Sequence, residues 1–165
     1  MGSVQFGIPR ELALELKARH GLNHFVETGT LVGHTALWAN QYFETTTTVE
    51  KDIDSWQRNY DAFKVERKPI WSYCQDSGEF LQRFALKFPC LIWLDAHTNE
   101  ECPVLREIAA INKSPLPHVI LVDDARLFGD LPAWPTKEEV VWLLINGGRR
   151  TVREVDDVLV AEPCP

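Results

Sequence analysis

The sequence predicts a single α/β domain built on a doubly wound, mostly parallel sheet. Two observations predict it. Short apolar runs alternate with stretches at helical spacing through most of the 165 residues. Two of those runs, Cys90 to Leu94 (CLIWL) and His118 to Val122 (HVILV), are apolar at nearly every position. Continuous rather than alternating apolar character marks a strand covered on both faces, as in a parallel sheet flanked by helices.

The elements follow in order. PRELALELKARH, from Pro9 to His20, opens with proline at a first-turn position and stops at Gly21, which predicts a helix. Asn23 to Glu27 reads as a strand, Thr28 to Gly33 as a glycine-containing loop, and Thr35 to Phe43 as a helix. The β-branched run Thr45 to Glu50 favours a strand. A helix over Ile53 to Lys64, a strand over Ile70 to Cys74 and a helix over Gly78 to Lys87 continue the alternation, and a helix over Cys102 to Asn112 links the two apolar strands. Thr136 with Glu139 forms a capping-box pattern that opens a helix over Lys137 to Ile145, and Asn146-Gly147-Gly148 is expected to end it. Thr151 to Val155 and Val158 to Glu162 flank Asp156-Asp157 as two strands of a tight hairpin. The expected organisation is one domain over 1–165, with an N-terminal helix within 1–21 and the sheet within 22–165.

Composition narrows the function. With 45% hydrophobic and 25% charged residues the chain reads as globular. A net charge of −7 argues against a general nucleic-acid binder, which needs lysine and arginine to neutralise phosphates. The longest apolar runs fall far short of the ~20 residues that span a bilayer, so no membrane association is expected. No basic patch precedes an apolar segment at the N-terminus, which makes the cytoplasm the expected location. Gly2 after Met1 suggests myristoylation only weakly, because Phe6 stands where that signal has Ser or Thr. Cys74, Cys90, Cys102 and Cys164 have no CxxC spacing and read as four reduced thiols.

The chemistry gathers at predicted strand ends. Gly29 and Gly33 lie in a loop between strand and helix, where a missing side chain lets backbone amides approach a ligand. Their spacing is not GxGxxG, so the dinucleotide fingerprint is absent. Glu27 suits a cationic group such as the ammonium of an amino acid. Glu50, 23 residues further on, can accept ribose hydroxyls, and Asp76 with Ser77 can meet the exocyclic amine of adenine. Taken singly, Glu27 and Asp76 read equally well as helix caps and Glu50 as a solvated strand end. Asp95 and His97 follow the fourth strand and Asp123-Asp124 the fifth, so a polar cluster is expected on the carboxyl edge of the sheet. Such an oxygen-rich set suits Mg²⁺, Ca²⁺ or Mn²⁺ better than zinc. His97 is alternatively a general base, and Trp134 a wall of a substrate pocket.

The ordered segments VETGTLVGHT, TTVEKD, QDSGEF, LDAH and VDDARLFG resemble the class I S-adenosylmethionine (SAM) dependent methyltransferases over nearly the whole chain. The resemblance implies a Rossmann-like, seven-stranded sheet whose last strand is antiparallel, which accounts for the closing hairpin. It implies SAM as cofactor, with Glu27, Thr28, Gly29, Thr30, Gly33 and Thr35 at the methionine end, Glu50 at the ribose, Asp76 and Ser77 at the adenine, and Asp95 alongside. The Asp95 and Asp123-Asp124 positions are similar to the metal-dependent O-methyltransferases, in which the second element is an Asp-Asn pair. That similarity implies Asp95, Asp123 and Asp124 as ligands of a divalent cation and Asp95, His97 and Asp123 as catalytic residues. The expected reaction is O-methylation of a small molecule, and a homodimer would cover an open acceptor site. A SAM-binding protein without activity and a metal-dependent hydrolase using the Asp95, His97, Asp123 and Asp124 cluster are the competing expectations.

Overall fold

The computed structural model describes residues 7–164, so Gly2 and the rest of 1–6 lie outside the described residues. Helix α1 (Arg10–His20) enters through Pro9 and ends on Gly21 in the left-handed region. Then come β1 (His24–Thr28), α2 (His34–Tyr42), β2 (Thr45–Glu50), α3 (Ile53–Phe63), β3 (Ile70–Cys74), α4 (Ser77–Arg83) and β4 (Cys90–Leu94). Helix α5 (Val104–Ile111), β5 (Val119–Val122), a 3-10 turn at Ala125–Leu127, α6 (Lys137–Gly148) and the hairpin β6 (Arg150–Val155) and β7 (Val158–Pro163) complete the chain.

The seven strands lie in the order β3-β2-β1-β4-β5-β7-β6. Strands β1 to β5 pair in parallel, and β7 inserts antiparallel between β5 and β6. The doubly wound sheet with an antiparallel last strand is therefore present. One face packs α4, α5 and α6 over Val26, Ile92, Ile120 and Leu159. The other packs α1 and α2 over Phe25, Leu91, Trp93 and Val160. The order of winding reverses between β1 and β4, and ligands of such sheets bind at that crevice.

Boundaries differ by more than two residues in two places. Helix α4 stops at Arg83 rather than Lys87, because Phe84 turns extended and Pro89 soon follows. Helix α6 continues through Gly147 and Gly148 instead of ending before them. A Cβ on Gly147 would stand 2.2 Å from the Asn112 side chain, and one on Gly148 would overlap Arg150, so these glycines make room inside the helix. The left-handed cap falls on Arg149, at φ 50°. Arg149→Gly is therefore expected to raise stability by about 0.5–1 kcal/mol, measured by urea unfolding, since glycine adopts this conformation without strain.

Candidate functional site

Three ladder positions lie side by side where the parallel strands run out. Thr28 is level with Leu94, and Leu94 with Val122, so the next residues, Gly29, Asp95 and Asp123, share one row. The backbone hydrogen bonds Gly29 N–H to Val49 O (2.9 Å), Asp95 N–H to Thr28 O (3.1 Å) and Asp123 N–H to Leu94 O (3.1 Å) extend the ladder into that row. Gly29 has φ +82°, and a Cβ there would lie 2.2 Å from the carbonyl oxygen of Asp95. The missing side chain therefore also admits the neighbouring strand end. Gly33 likewise faces Asn59 and Phe63 of α3.

Two cavities open at this row. The first, about 650 Å³, is lined by Glu27, Gly29, Thr30, Leu31, Thr35, Asp95, Asp123, Asp124 and Arg126, with Asp156 and Asp157 of the hairpin turn. The second, about 870 Å³, is lined by Gly29, Leu31, Glu50, Asp76, Ser77, Asp95 and His97, with Lys51 and Glu101. They meet at Gly29, Leu31 and Asp95. Of the residues expected from sequence, Thr28 and Gly33 line neither cavity. The Thr28 side chain is buried, and its hydroxyl accepts from Asp95 N–H at 3.4 Å.

Glu27 is 1% exposed, and one of its oxygens accepts from Thr48, which also bonds Thr30. Burial raises its carboxyl to a pKa of about 8, against the opposing pull of the Thr48 and Thr35 hydroxyls. Glu50 holds the glycine loop. Its two oxygens accept from Leu31 N–H and Asp52 N–H, both at 2.9 Å, and a carboxylate so engaged keeps lone pairs for further donors. Asp76 caps α4 through Glu79 N–H and pairs with Arg106 at 3.3 Å, so both the cap and the cavity wall expected of it are present.

Asp95 is raised to about 9, first by removal from water and then by the charges of Asp123, Glu27 and Asp124. Asp123 is raised to about 7, mainly by burial. His97 stands 3.5 Å from Asp95 and 3.6 Å from Asp124, and burial lowers its pKa despite Asp124. Trp134 does not line either cavity. It backs His97 with ring centroids 4.4 Å apart and donates its indole N–H to Thr98 O.

The divalent cation expected from sequence does not fit these residues as they stand. Asp124 is ion-paired to Arg126, which also pairs with Asp157, and Asp123 Oδ1 accepts from Asp124 N–H at 2.8 Å. One of the three expected ligands is thus already neutralised by a guanidinium. Among the described residues no group of three or more His, Cys, Asp or Glu is arranged to hold a metal.

Sequence reasoning missed Glu107. It is 1% exposed on α5, raised to about 7 by burial, and close to the Ser77 and Thr28 hydroxyls beneath the second cavity. Its signal was a carboxylate at the core-facing spacing of Val104, Ile108 and Ile111. Asp156 and Asp157 were read as a turn, and only the insertion of β7 beside β5 brings that turn to the cavity.

Four suppressed acids have a consequence for the unliganded protein. Each holds its proton when folded at pH values where the unfolded chain, with carboxyls near 4, has lost it. The stability they favour is complete below about pH 4 and is lost as pH rises through the folded values, by up to ~1.4 kcal/mol per unit and group. The melting temperature without ligand is expected to fall between pH 5 and 8. A scanning-calorimetry series showing a rise would contradict it.

No protein-family profile matches the chain, and no curated protein matches its sequence significantly. Solved structures match its fold. An O-methyltransferase from Bacillus cereus in complex with SAH is similar at a TM-score of 0.72 and 14% identity, over 96% of this chain and 83% of that one. An amino pentose methyltransferase from Micromonospora echinaspora, with SAM bound, is similar at 0.69 and 10%, over 94% and 89%. The N-methyltransferase NodS from Bradyrhizobium japonicum is similar at 0.63 and 15%, over 93% and 94%. The seven-stranded Rossmann-like sheet is thus the fold of SAM-dependent methyltransferases. Among the described residues no helix is long and apolar enough to cross a membrane.

Proposed function

We propose that this protein is a SAM-dependent methyltransferase acting on a small molecule. The observation that carries the reading is the meeting of two cavities at Gly29 and Asp95, on the switch point of the sheet. One cavity carries Glu50, Asp76 and Ser77 and the other is a separate chamber, so donor and acceptor can approach end to end. The shared fold of the B. cereus and M. echinaspora enzymes supports it.

In this reading Glu50 receives the ribose hydroxyls, and Asp76 and Ser77 border the adenine. Glu27 faces the ammonium of the methionine moiety, with the Gly29, Thr30 and Thr35 loop around it. The sulfonium lies near Asp95. The reaction is an in-line displacement, in which alignment supplies most of the acceleration. Asp95 and Asp123 stand on the acceptor side and are the candidates to take the acceptor's proton, while His97 lines the donor cavity and can act only through Asp95. The O-methylation expected from sequence had a metal to acidify a hydroxyl. With Asp124 committed to Arg126, these residues provide no such assistance.

A thermal-shift measurement tests the cofactor. SAM and its demethylated product SAH, at about 100 times their dissociation constants, should each stabilise by ~2.7 kcal/mol. For a chain of this length that is about 5–10 °C. NAD should give no shift, and no shift with either SAM or SAH at millimolar concentration would remove the proposal.

A further inference from the structure

We infer that the methyl acceptor is an amine, bound as a cation in the first cavity and methylated on nitrogen. The inference rests on the methyl-donor assignment above. Six carboxyl groups line that cavity, from Glu27, Asp95, Asp123, Asp124, Asp156 and Asp157. Among the described lining residues Arg126 is the only lysine or arginine, and its guanidinium is taken up by Asp124 and Asp157. The donor brings an ammonium for Glu27 and a sulfonium for Asp95. Neither Asp123 nor Asp156 then has an ion-pair partner; Asp123 feels the Arg126 charge only at a distance, and Asp156 is exposed at the cavity mouth, so Asp123 is the half-buried carboxyl left for a ligand. Uncompensated carboxyls in a partly dehydrated chamber are costly, and a ligand ammonium relieves that cost. Glu27, which serves the donor's ammonium, shows the same preference of this wall for cations. It is 1% exposed, has no lysine or arginine beside it in the wall, and still faces the cavity.

The chemistry of the acceptor points the same way. A carboxylate must take a proton before the methyl can move. An ammonium near pKa ~10.4 lies within reach of a carboxyl raised by burial, whereas a hydroxyl resembling water, near ~15.7, lies several powers of ten further away. A phenol, near ~10, is acidic enough but would become an anion beside this row of carboxylates. With an amine, the bound cation first drives Asp123's own proton off to solvent, and the resulting carboxylate then takes one proton from the ammonium. The freed nitrogen lone pair forms the bond to the methyl carbon as the carbon–sulfur bond breaks, its electron pair returning to sulfur to give the neutral thioether. Pro9, Leu31, Val32 and Val158 supply apolar wall for the carbon skeleton.

Calorimetric titration into protein saturated with SAH tests this without requiring turnover. The probes are matched sets on several skeletons, among them benzylamine, benzyl alcohol, 4-methylphenol and benzoate. The amine of at least one set should bind tenfold or more tighter than its alcohol, phenol and carboxylate, and Asp123→Asn should narrow that gap at least fivefold with SAH affinity kept within twofold. Methyl-labelled SAM should then label the same amine. Equal or stronger binding of the alcohols or phenols, or no binding by any amine while SAH binds, overturns the amine assignment alone. No heat with SAH overturns the donor assignment and this inference with it.

Discussion

Replacing Gly29 by alanine is expected to lower the melting temperature by about 10 °C and to abolish SAM binding. The new Cβ would stand 2.2 Å from the Asp95 carbonyl oxygen and 2.6 Å from its carbon. Both are backbone atoms at the carboxyl end of β4, held by the ladder hydrogen bond of Asp95 N–H to Thr28 O, and neither yields as the end of a flexible side chain does. The residue also keeps φ +82°, which costs ~1–3 kcal/mol for a non-glycine residue. Steric overlap adds to that, giving a loss of at least ~3 kcal/mol, and each kcal/mol is worth ~2–4 °C at this chain length. Gly21→Ala is the control. Its φ is +62° with nothing within 4 Å of the Cβ, so it carries conformational strain without a clash. Its melting temperature should fall by only about 3 °C, with SAM binding unchanged. Equal losses for the two variants would mean that the approach of Gly29 to Asp95 is not what the fold depends on.

The second large effect concerns Glu27. Glu27→Gln keeps the bond from Thr48 and the side-chain volume but removes the charge. SAM affinity is expected to fall at least 100-fold, a loss of ~2.7 kcal/mol. Stability without ligand should rise at pH 8, because the buried group no longer ionises there. The sign of the proton linkage gives a further readout. At pH 6.5 the unliganded wild-type carboxyl, with a pKa of about 8, is protonated, and binding an ammonium beside it drives the proton off. Calorimetry in buffers of differing ionisation enthalpy should therefore find close to one proton released by the wild type and none by the variant. Proton release unchanged by the substitution would place the ammonium elsewhere.

Most of the fold was legible because the strands announce themselves twice. CLIWL and HVILV are apolar throughout, and their boundaries at Leu94 and Val122 agree with the structure. The run Thr45 to Glu50 was legible through β-branching alone. Helix ends were less so, since glycine at Gly147 and Gly148 answers a neighbouring element, Asn112 and Arg150, that local sequence does not reveal. The site divides in the same way. Positions at the last residue of a strand or one or two beyond it could be found by counting, which is why Glu50, Asp76, Asp95 and Asp123 all line a cavity. Roles set by partners distant in the chain could not. The Arg126 pair with Asp157 spans 31 residues and changes what Asp124 can hold, and Glu50 meets Leu31 across 19.

The insertion of β7 between β5 and β6 also orders events during synthesis. Until Val158–Pro163 has left the ribosome, β5 has a bare edge and β6 has no neighbour to join. A nascent chain can assemble β1 to β5 with their helices, yet it carries an open parallel edge as it does so, the kind of edge on which aggregation begins. Sheet closure and completion of the acidic cavity are therefore one late event, because the turn that delivers Asp156 and Asp157 is the same turn that launches β7.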